Sequence, residues 1–565
     1  MYGFQRGTEP WVRSGAQAAP RVFSLAPGPP EMINTGQAFI RRTHMKRAII
    51  LVAILADMAG AAAAAGPIAQ DTMTAETRAD ERLAARIERI ENGLTPSLRI
   101  KGGPAWNLRD LMEQLNVPGL AVAVFNNYEI EWIRAYGVTD AASREPVTDE
   151  TLFQAASISK PVAAMVALHF VEKGLLDLDG DVNEKLRSWK VPENEFTFDE
   201  KVTIRRILSH TAGLTVSGFR GYAEGEPVPN ILQVLDGTEP SNNDPIRVDV
   251  VPGSTYRYSG GGYTVLQLLL EDVTGRPLHE LTHELVFEPL GMNHSSFQKP
   301  LPEALLAKTS SGHLRDGSPM RGHWFLDTGS TCCGLWTTPA DLARFAIEIQ
   351  KSLRGESNKI LTAETTDLMV TPQAPGSMGL GMSVQQRNGT VYFSHSGGNP
   401  GFGCHLVASA DGGYGAAVMT NSDIGGALYP ALVRSIAFEY QWKDYMPREY
   451  ESINDALDEF RKLKKDSPDD PDVSEGNLNR LGYEMLQAQE YETAIAVFQL
   501  NVEFHPTSAN VYDSLAEAYM TSGNREKAVD LYRKALSVLD AHPEENKQYE
   551  RLRESIPKQL EKLEQ

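Results

Sequence analysis

Apolar runs separated by turn residues constrain the fold more than any other feature of this sequence. Six runs fit this description, in chain order 119–125, 129–137, 379–386, 390–395, 404–410 and 414–421. The turns include Asn126-Asn127, Asn388-Gly389 and Asp411-Gly412-Gly413, and Asn-Gly or Asp-Gly between alternating runs is a strong hairpin signal. Residues 157 to about 350 are mainly helical in pattern. We therefore expect an α+β fold: an antiparallel sheet flanked by helices and completed from both ends of the chain, with a helical domain inserted between.

The last part of the chain contains two copies of one helical pattern. Residues 481–501 and 515–536 match at an offset of 34 residues, with Leu481 matching Leu515, Ala494 matching Ala528 and Phe498 matching Tyr532. This period and residue pattern resemble the tetratricopeptide repeat. We predict an all-α repeat region at 476–565, with residues 548–565 as its capping helix and residues 445–475 as a linker or degenerate repeat.

The first 70 residues look like a targeting segment. Basic residues at 41–47 precede an apolar run interrupted by Asp57, and small residues follow. This order is typical of a secretory signal peptide, predicted here at 45–70, with residues 1–44 as a disordered lead or untranslated. The run is short for a membrane span, so we expect no integral membrane span in the mature chain and an exported protein, periplasmic or secreted.

Ser157 and Lys160 open a long apolar segment at 152–174. A serine needs an adjacent base or cation to act as a nucleophile, and residues three apart on a helix are neighbours. Pro161 clashes with the carbonyl four residues before it, so the helix cannot begin much before Ser157. Ser157 is therefore predicted at a helix N-terminus, where unpaired N–H groups and the helix dipole favour a developing oxyanion.

The Ser-x-x-Lys spacing alone is a weak signal, because it also occurs at Ser296/Lys299 and Ser555/Lys558, where no apolar helix follows. A capping serine with a surface lysine is the plain alternative at any such match.

Two further stretches carry candidate residues. Tyr258 lies in a Tyr-Ser-Gly-Gly-Gly turn before an apolar helix, where a loop can present a phenol to a cleft. His395-Ser396-Gly397-Gly398 follows a strand, and its glycines let a substrate approach the backbone. A packing tyrosine and an ordinary strand-to-loop junction are the alternatives.

The three stretches, in this order, resemble the serine beta-lactamase and penicillin-binding-protein superfamily, most closely the class C beta-lactamase-like branch with its esterases and D-amino-acid peptidases. The resemblance covers roughly residues 80–440 of a domain predicted at 71–444. It implies that Ser157 is acylated, that Lys160 activates it and that Tyr258 assists proton transfer. It also implies a substrate-binding sheet edge at His395-Ser396-Gly397, and an oxyanion hole formed by the N–H groups of Ser157 and Gly398.

This sequence departs from the family pattern at two positions. Gly260 replaces the asparagine of the Tyr-x-Asn element, so a side-chain amide for a substrate carbonyl is missing. His395 replaces the lysine of the Lys-Thr-Gly element, and histidine is mostly neutral at pH 7. Both changes disfavour an efficient beta-lactamase and leave acyl transfer on esters or peptides open.

The stretch His279-Glu280-Leu281-Thr282-His283 matches the His-Glu-x-x-His pattern of zinc peptidases. Glu303 lies at about the right distance downstream to serve as a third ligand. On a helix, however, both histidines would lie opposite the stripe of Leu278, Leu281 and Leu285 and face solvent, so we expect no metal site.

The three cysteines, Cys332, Cys333 and Cys404, do not make a disulfide scaffold. A bridge from Cys404 to either of the other two is open, but small buried side chains are the simpler expectation.

Taken together, these features predict an exported serine hydrolase that forms a Ser157 acyl-enzyme on an ester, amide or D-amino-acid peptide, without metal or organic cofactor. A beta-lactamase or D,D-peptidase is the alternative in the same class. A non-catalytic protein that binds a partner through residues 476–565 is the alternative from another class, and those repeats could equally serve to cover the preceding domain. The net charge of −20 argues against nucleic acid as a partner.

Overall fold

The computed structural model describes residues 75–326, 330–446 and 448–564. The predicted lead at 1–44 and signal peptide at 45–70 lie outside these residues. The chain divides into two compact units, residues 1–81 and 82–565, and only the start of one helix is described in the first. Within the described ranges, no helix combines the length and apolar character needed to cross a bilayer.

The strands are β1 Arg99–Ile100, β2 Gly119–Asn126, β3 Glu129–Gly137, β4 Phe153–Gln154, β5 Trp336–Thr337, β6 Ser383–Arg387, β7 Thr390–Asn399, β8 Phe402–Ser409, β9 Gly415–Thr420 and β10 Glu449–Tyr450. The first twelve helices are α1 Ala75–Asn92, α2 Leu108–Gln114, α3 Ser159–Glu172, α4 Val182–Lys185, α5 Ile204–Leu208, α6 Ile231–Asp236, α7 Gly260–Thr274, α8 Leu278–Thr282, α9 Glu288–Leu290, α10 Glu303–Leu306, α11 Ser330–Cys333 and α12 Pro339–Leu353. The remaining helices are α13 Ala363–Met369, α14 Gly425–Glu439, α15 Ile453–Asp466, α16 Glu475–Gln487, α17 Tyr491–Phe504, α18 Ala509–Thr521, α19 Arg525–Ala541 and α20 Leu552–Glu564.

Six strands form one antiparallel sheet in the order β3-β2-β9-β8-β7-β6. The early strand β2 pairs with the late strand β9, with Leu120 opposite Thr420. The helices between β3 and β6 are the predicted insertion. The α+β fold class is therefore confirmed, including completion of the sheet from both ends of the chain.

Two strand boundaries differ most from the prediction, and the others lie within two residues of it. The run predicted at 379–386 becomes a strand only at Ser383, because Gly379 N–H donates to the Met382 carbonyl across a turn in which Gly381 has φ +97°. The run predicted at 390–395 continues to Asn399, because β7 pairs with β8 from Tyr392 to Asn399.

Helices cover both faces of the sheet. Along β2, Ala121, Ala123 and Phe125 pack into the core that contains α3, α7 and α12. The alternating residues Leu120 and Val124 pack into a second core with α1, α2 and α14. Because side chains alternate between the two faces of a strand, one apolar strand builds both cores.

The region after residue 452 is all-helical, as predicted. Helices α16 and α17 form one antiparallel pair and α18 and α19 another, around a core of their own. The residues matched at the offset of 34 are all buried in that core, namely Leu481, Ala494, Phe498, Leu515, Ala528 and Tyr532. The tetratricopeptide resemblance itself stays a prediction.

The helical region packs on the sheet domain through the segment that contains Leu98. This side chain is 2% exposed and belongs to the core of the helical region. Beside it, β1 pairs with β10 in parallel. Glu484 on α16 accepts hydrogen bonds from the Ser97 backbone N–H at 2.7 Å and from Ser97 Oγ at 3.0 Å. Arg434 on α14 donates to Ser97 Oγ at 2.8 Å and forms an ion pair with Glu484 at 3.5 Å. The helical region therefore packs against the segment around Ser97 and Leu98.

We predict that Leu98→Ala lowers the free energy of unfolding by about 2–5 kcal/mol, because it leaves a cavity between the two regions. Equilibrium unfolding in urea measures this change. The matched control is Leu175→Ala, since Leu175 is 49% exposed. Equal, small effects of both substitutions would contradict the role given to Leu98.

Candidate active site

Ser157 lies on the turn that leads from β4 into α3. Residues Ala156–Ile158 form a single 3₁₀ turn, and α3 begins at Ser159. Ala156 has φ +47°, a conformation that strains a residue with a Cβ and persists only where the surroundings enforce it. The predicted position at the head of a helix agrees with the structure, with Ser157 one short turn ahead of the α-helix.

Helix α3 is buried from Ser159 to Leu168. Burial around its whole circumference follows from its nearly uniform apolar sequence. The helix therefore holds Ser157 and Lys160 on a rigid element at the centre of the domain.

Lys160 is 1% exposed and contacts Ser157 directly. Its Nζ donates to Ser157 Oγ at 3.0 Å and to the Cys332 carbonyl at 2.9 Å. The ring centres of Tyr258 and Tyr263 lie 4.8 Å and 5.5 Å from Nζ, distances at which an aromatic face stabilises a cation. The buried ammonium is thus held by oxygen atoms and ring faces.

Tyr258 packs against a histidine that the sequence analysis did not single out. The rings of Tyr258 and His210 lie 4.1 Å apart with a tilt of 31°. The Ser259 backbone N–H donates to His210 Nδ1 at 3.1 Å, so the proton of the neutral ring resides on Nε2. That Nε2 is buried without a hydrogen-bond partner. Burial, with the positive charge of Lys160 nearby, holds the pKa of His210 well below its usual value.

His395 lies on β7 and is 4% exposed. Its Nδ1 lies 2.7 Å from the Ser396 carbonyl, which can only accept, so Nδ1 carries the proton. Burial, together with the charge of Lys160, lowers the pKa of His395 to about 3. The ring is therefore neutral at pH 7, and this sheet edge carries no fixed positive charge at His395.

Strand β7 runs directly beside the turn that carries Ser157. Cys404 on β8 donates its S–H to the Ala155 carbonyl at 2.9 Å, and a Cβ at Gly397 would collide with that carbonyl and with Cys404 Sγ. Only a glycine allows this approach. The structure thus brings Gly397 to the backbone of the Ser157 turn, and Gly398, which is exposed, follows at the open end of the strand.

The Ser396 hydroxyl has a partner on the neighbouring strand. Its Oγ lies 2.8 Å from His405 Nδ1, and the ring of His405 stacks on Tyr429 at 5.0 Å. Since side chains alternate along a strand, Ser396 projects to the face opposite His395 and Gly397.

Other groups beside Ser157 were also missed by the sequence analysis. Asn399 Nδ2 donates to Gln154 Oε1 at 2.7 Å and to the Cys333 carbonyl at 3.1 Å, and Gln154 Nε2 donates to the Phe325 carbonyl at 3.2 Å. These contacts join residues far apart in sequence. The carbonyl of Cys332 that contacts Lys160 is a backbone group, which any residue could supply, so the sequence does not mark it. Nothing in the sequence around His210 indicated an unpaired ring nitrogen.

The zinc-peptidase match does not form a ligand set. His283 is exposed, His279 is half-buried, and Glu280 forms an ion pair with Arg276 at 3.5 Å. The helix is also interrupted by a π-helical turn at His283–Phe287. Within residues 75–326, 330–446 and 448–564, no group of three or more His, Cys, Asp or Glu side chains could hold a metal ion.

The three cysteines are buried thiols with no disulfide between them. The expectation of small buried side chains is confirmed.

Comparison with known proteins places this geometry in context. A family model described as Beta-lactamase matches residues 106–439. Penicillin-binding protein 4 of Amycolatopsis lactamdurans is 26% identical over 58% of this chain and 87% of its own length. Esterase EstB of Burkholderia gladioli is 30% identical over 36% of this chain. A D-aminopeptidase of Brucella canis is 28% identical over 56% of this chain. The matches span 55% of the esterase and 58% of the D-aminopeptidase.

We predict that Gly397→Ala damages the site, because the added Cβ forces β7 away from the Ser157 turn; overpacking of this kind costs about 1–3 kcal/mol. Thermal unfolding and the rate of labelling by a fluorophosphonate measure the effect. Gly426→Ala on α14 is the control, since its Cβ would lie 3.8 Å from Tyr429 Oη. Labelling of Gly397→Ala at the wild-type rate would show that this close approach is unimportant.

We also predict that stability falls as the pH is lowered from about 6.5, the usual pKa of an unfolded histidine. Because burial keeps His395 neutral down to a pKa of about 3, the unfolded chain binds a proton that the folded chain does not. Each such histidine removes about 1.4 kcal/mol per pH unit in that window. Urea unfolding between pH 7 and pH 4 should show a shallower pH dependence in His395→Asn than in the wild type. Replacing the exposed His283 with Asn should leave the dependence unchanged; equal slopes in all three proteins would refute the prediction.

Proposed function

Since this chain belongs to the Beta-lactamase family and is a serine hydrolase, we propose that it is an exported acyl hydrolase in which Ser157 forms the acyl-enzyme. One observation carries the proposal: the Nζ of a buried lysine lies 3.0 Å from Ser157 Oγ at the head of the central helix. Export rests on the sequence of residues 45–70 alone.

In the first step, Ser157 Oγ attacks the substrate carbonyl carbon and the leaving group departs. Lys160 is a polar side chain within hydrogen-bond distance of the hydroxyl. In this proposal its amine is neutral before the attack, accepts the hydroxyl proton as Oγ bonds to the carbonyl carbon, and becomes the ammonium. The phenol of Tyr258, whose ring lies beside the ammonium, assists transfer of the proton to the leaving group. In the second step, water attacks the ester carbon of the acyl-enzyme and restores the serine.

The oxyanion that forms on the substrate carbonyl needs N–H donors fixed in advance. The backbone N–H groups of Ser157 and Gly398 are the donors in this proposal. The close packing of Gly397 on Ala155 supports it, because it holds the end of β7 beside the turn. The strained φ of Ala156 supports it too, since strain of this kind persists where the fold fixes the backbone.

The substrate in this proposal is an ester, an amide or a D-amino-acid peptide. A beta-lactam or a D,D-peptide carries a carboxylate, and the buried His395 gives this site no cation for it. Esters and amides without a carboxylate do not need one. The relatives are named as an esterase, a D-aminopeptidase and a penicillin-binding protein. These names cover this range of substrates and do not select one of them for this chain.

The repeats have a second role open to them, the binding of a protein partner through residues 476–565. The contacts of Glu484 and Leu98 favour a packing role. Glu484, on the first repeat helix, accepts a hydrogen bond from Ser97 of the same chain, and Leu98 lies in the core of the helical region.

We predict that a fluorophosphonate labels the wild type and that Ser157→Ala abolishes the labelling. Ser296→Ala is the matched control, because Ser296 has the same spacing to a lysine, and it should be labelled like the wild type. Fluorescence after gel electrophoresis reads the result. Equal labelling of wild type and Ser157→Ala would exclude Ser157 as the nucleophile, and labelling lost in Ser296→Ala would point to the other match.

A further inference from the structure

We propose that Phe219 forms the wall of an apolar subsite for the acyl group, so that the enzyme selects esters with an uncharged alkyl or aryl acyl chain. This inference rests on the proposed function and adds the specificity-determining residue. It starts from Gly260, where a side-chain amide is missing.

The space beside Gly260 is filled by an aromatic ring. A Cβ at Gly260 would lie 3.3 Å from Phe219 Cε2, 3.2 Å from the Ser217 carbonyl oxygen and 3.6 Å from Cys332 Sγ. A side chain there would therefore have to displace the Phe219 ring, which is half-buried and packs on the main core. The loss of the amide and the presence of the ring are one structural change.

The loop that carries Phe219 is fixed to the start of α7. Gly260 N–H donates to the Ser217 carbonyl at 3.1 Å, and Gly261 N–H donates to the Val216 carbonyl at 2.9 Å. Ser259 Oγ donates to the Thr215 carbonyl at 2.8 Å. These bonds use the first N–H groups of the helix and fix the backbone of residues 215–217, two residues before the ring.

A series of contacts joins this ring to the nucleophile. Cys332 connects the two: its Sγ faces Gly260, and its carbonyl accepts from Lys160 Nζ at 2.9 Å. Lys160 Nζ in turn lies 3.0 Å from Ser157 Oγ.

The polar side chains nearby already have hydrogen-bond partners within the protein. The amides of Gln154 and Asn399 bond to each other and to backbone carbonyls, and His395 is neutral at pH 7 because burial lowers its pKa. Aromatic rings also pack beside the strand before Ser157, with Trp336 paired to Gln154, Trp324 against Trp336 at 5.0 Å and Trp336 against Phe402 at 5.7 Å. A substrate that needs a side-chain amide finds those of Gln154 and Asn399 already bonded, and the neutral His395 offers its carboxylate no charge. An alkyl or aryl chain needs neither group.

The acyl group, rather than the alcohol, is the part that this wall contacts. The acyl group stays bonded to Ser157 Oγ through both chemical steps, whereas the alcohol must depart to solvent. Gly398 is exposed and Phe219 is half-buried, so in this proposal the alcohol departs on the Gly398 side.

The test compares kcat/KM for p-nitrophenyl acetate, butanoate and hexanoate in the wild type, Phe219→Ala, Gly260→Ala and Phe198→Ala. Each methylene that the subsite buries should raise kcat/KM by up to about fourfold. We expect butanoate to exceed acetate by about tenfold in the wild type and by less than about threefold in Phe219→Ala. Phe198→Ala makes the same change at a side chain that is 69% exposed, and should keep the wild-type ratio. Gly260→Ala pushes the ring aside, should also reduce the ratio, and provides the test if Phe219→Ala does not fold.

A charged analogue and an alcohol series complete the test. The mono-p-nitrophenyl ester of succinic acid, close in length to butanoate, should be at least about tenfold worse than butanoate in the wild type. An unchanged butanoate-to-acetate ratio in both Phe219→Ala and Gly260→Ala overturns the subsite. The subsite is also overturned if Phe219→Ala changes the ratio of kcat/KM between ethyl and hexyl acetate but not the ratios within the acyl series. If the wild type hydrolyses none of these esters and a fluorophosphonate does not label Ser157, the proposed function has failed and the subsite fails with it. Labelling of Ser157 without ester hydrolysis, or hydrolysis with an unchanged ratio, refutes the subsite alone.

Discussion

The contact between the buried Lys160 ammonium and Ser157 Oγ is the interaction on which the rest of this structure depends. A buried charge is costly unless its donors are satisfied, and the partners of this one come from distant parts of the chain. The Cys332 carbonyl comes from α11, and the faces of Tyr258 and Tyr263 come from the start of α7. The inserted helical domain supplies these elements, and the sheet supplies the strand edge opposite them.

The departures from the family pattern form a consistent set. Gly260 makes room for Phe219, the neutral His395 removes a cation, and Gln154 and Asn399 are bonded to each other. Each change alone could be neutral drift in a damaged site. Together they describe a cleft that keeps the nucleophile and its lysine while its recognition groups become apolar or unavailable. This combination supports acyl hydrolysis on substrates without a carboxylate.

Much of the fold was predictable from local sequence, because hairpin turns and helical periodicity act over a few residues. Asn126-Asn127 and Asn388-Gly389 marked hairpins that the structure contains, and the three-residue spacing brought Lys160 to Ser157. What was missed depends on contacts between distant segments. The bond from Ser396 to His405, the stacking of His210 on Tyr258 and the ring of Phe219 beside Gly260 link segments that no local pattern connects. The start of β6 was misplaced because the turn at Gly379–Met382 reads as part of an apolar run.

The central claim is that a substrate acyl group becomes bonded to Ser157. Mass spectrometry of the intact protein, quenched in acid during turnover of p-nitrophenyl butanoate and followed by peptide mapping, tests it most directly. The account predicts a mass increase of one butanoyl group on the peptide that contains Ser157, and its absence in Ser157→Ala. A butanoyl group found on another residue, or hydrolysis that continues undiminished in Ser157→Ala, would contradict it.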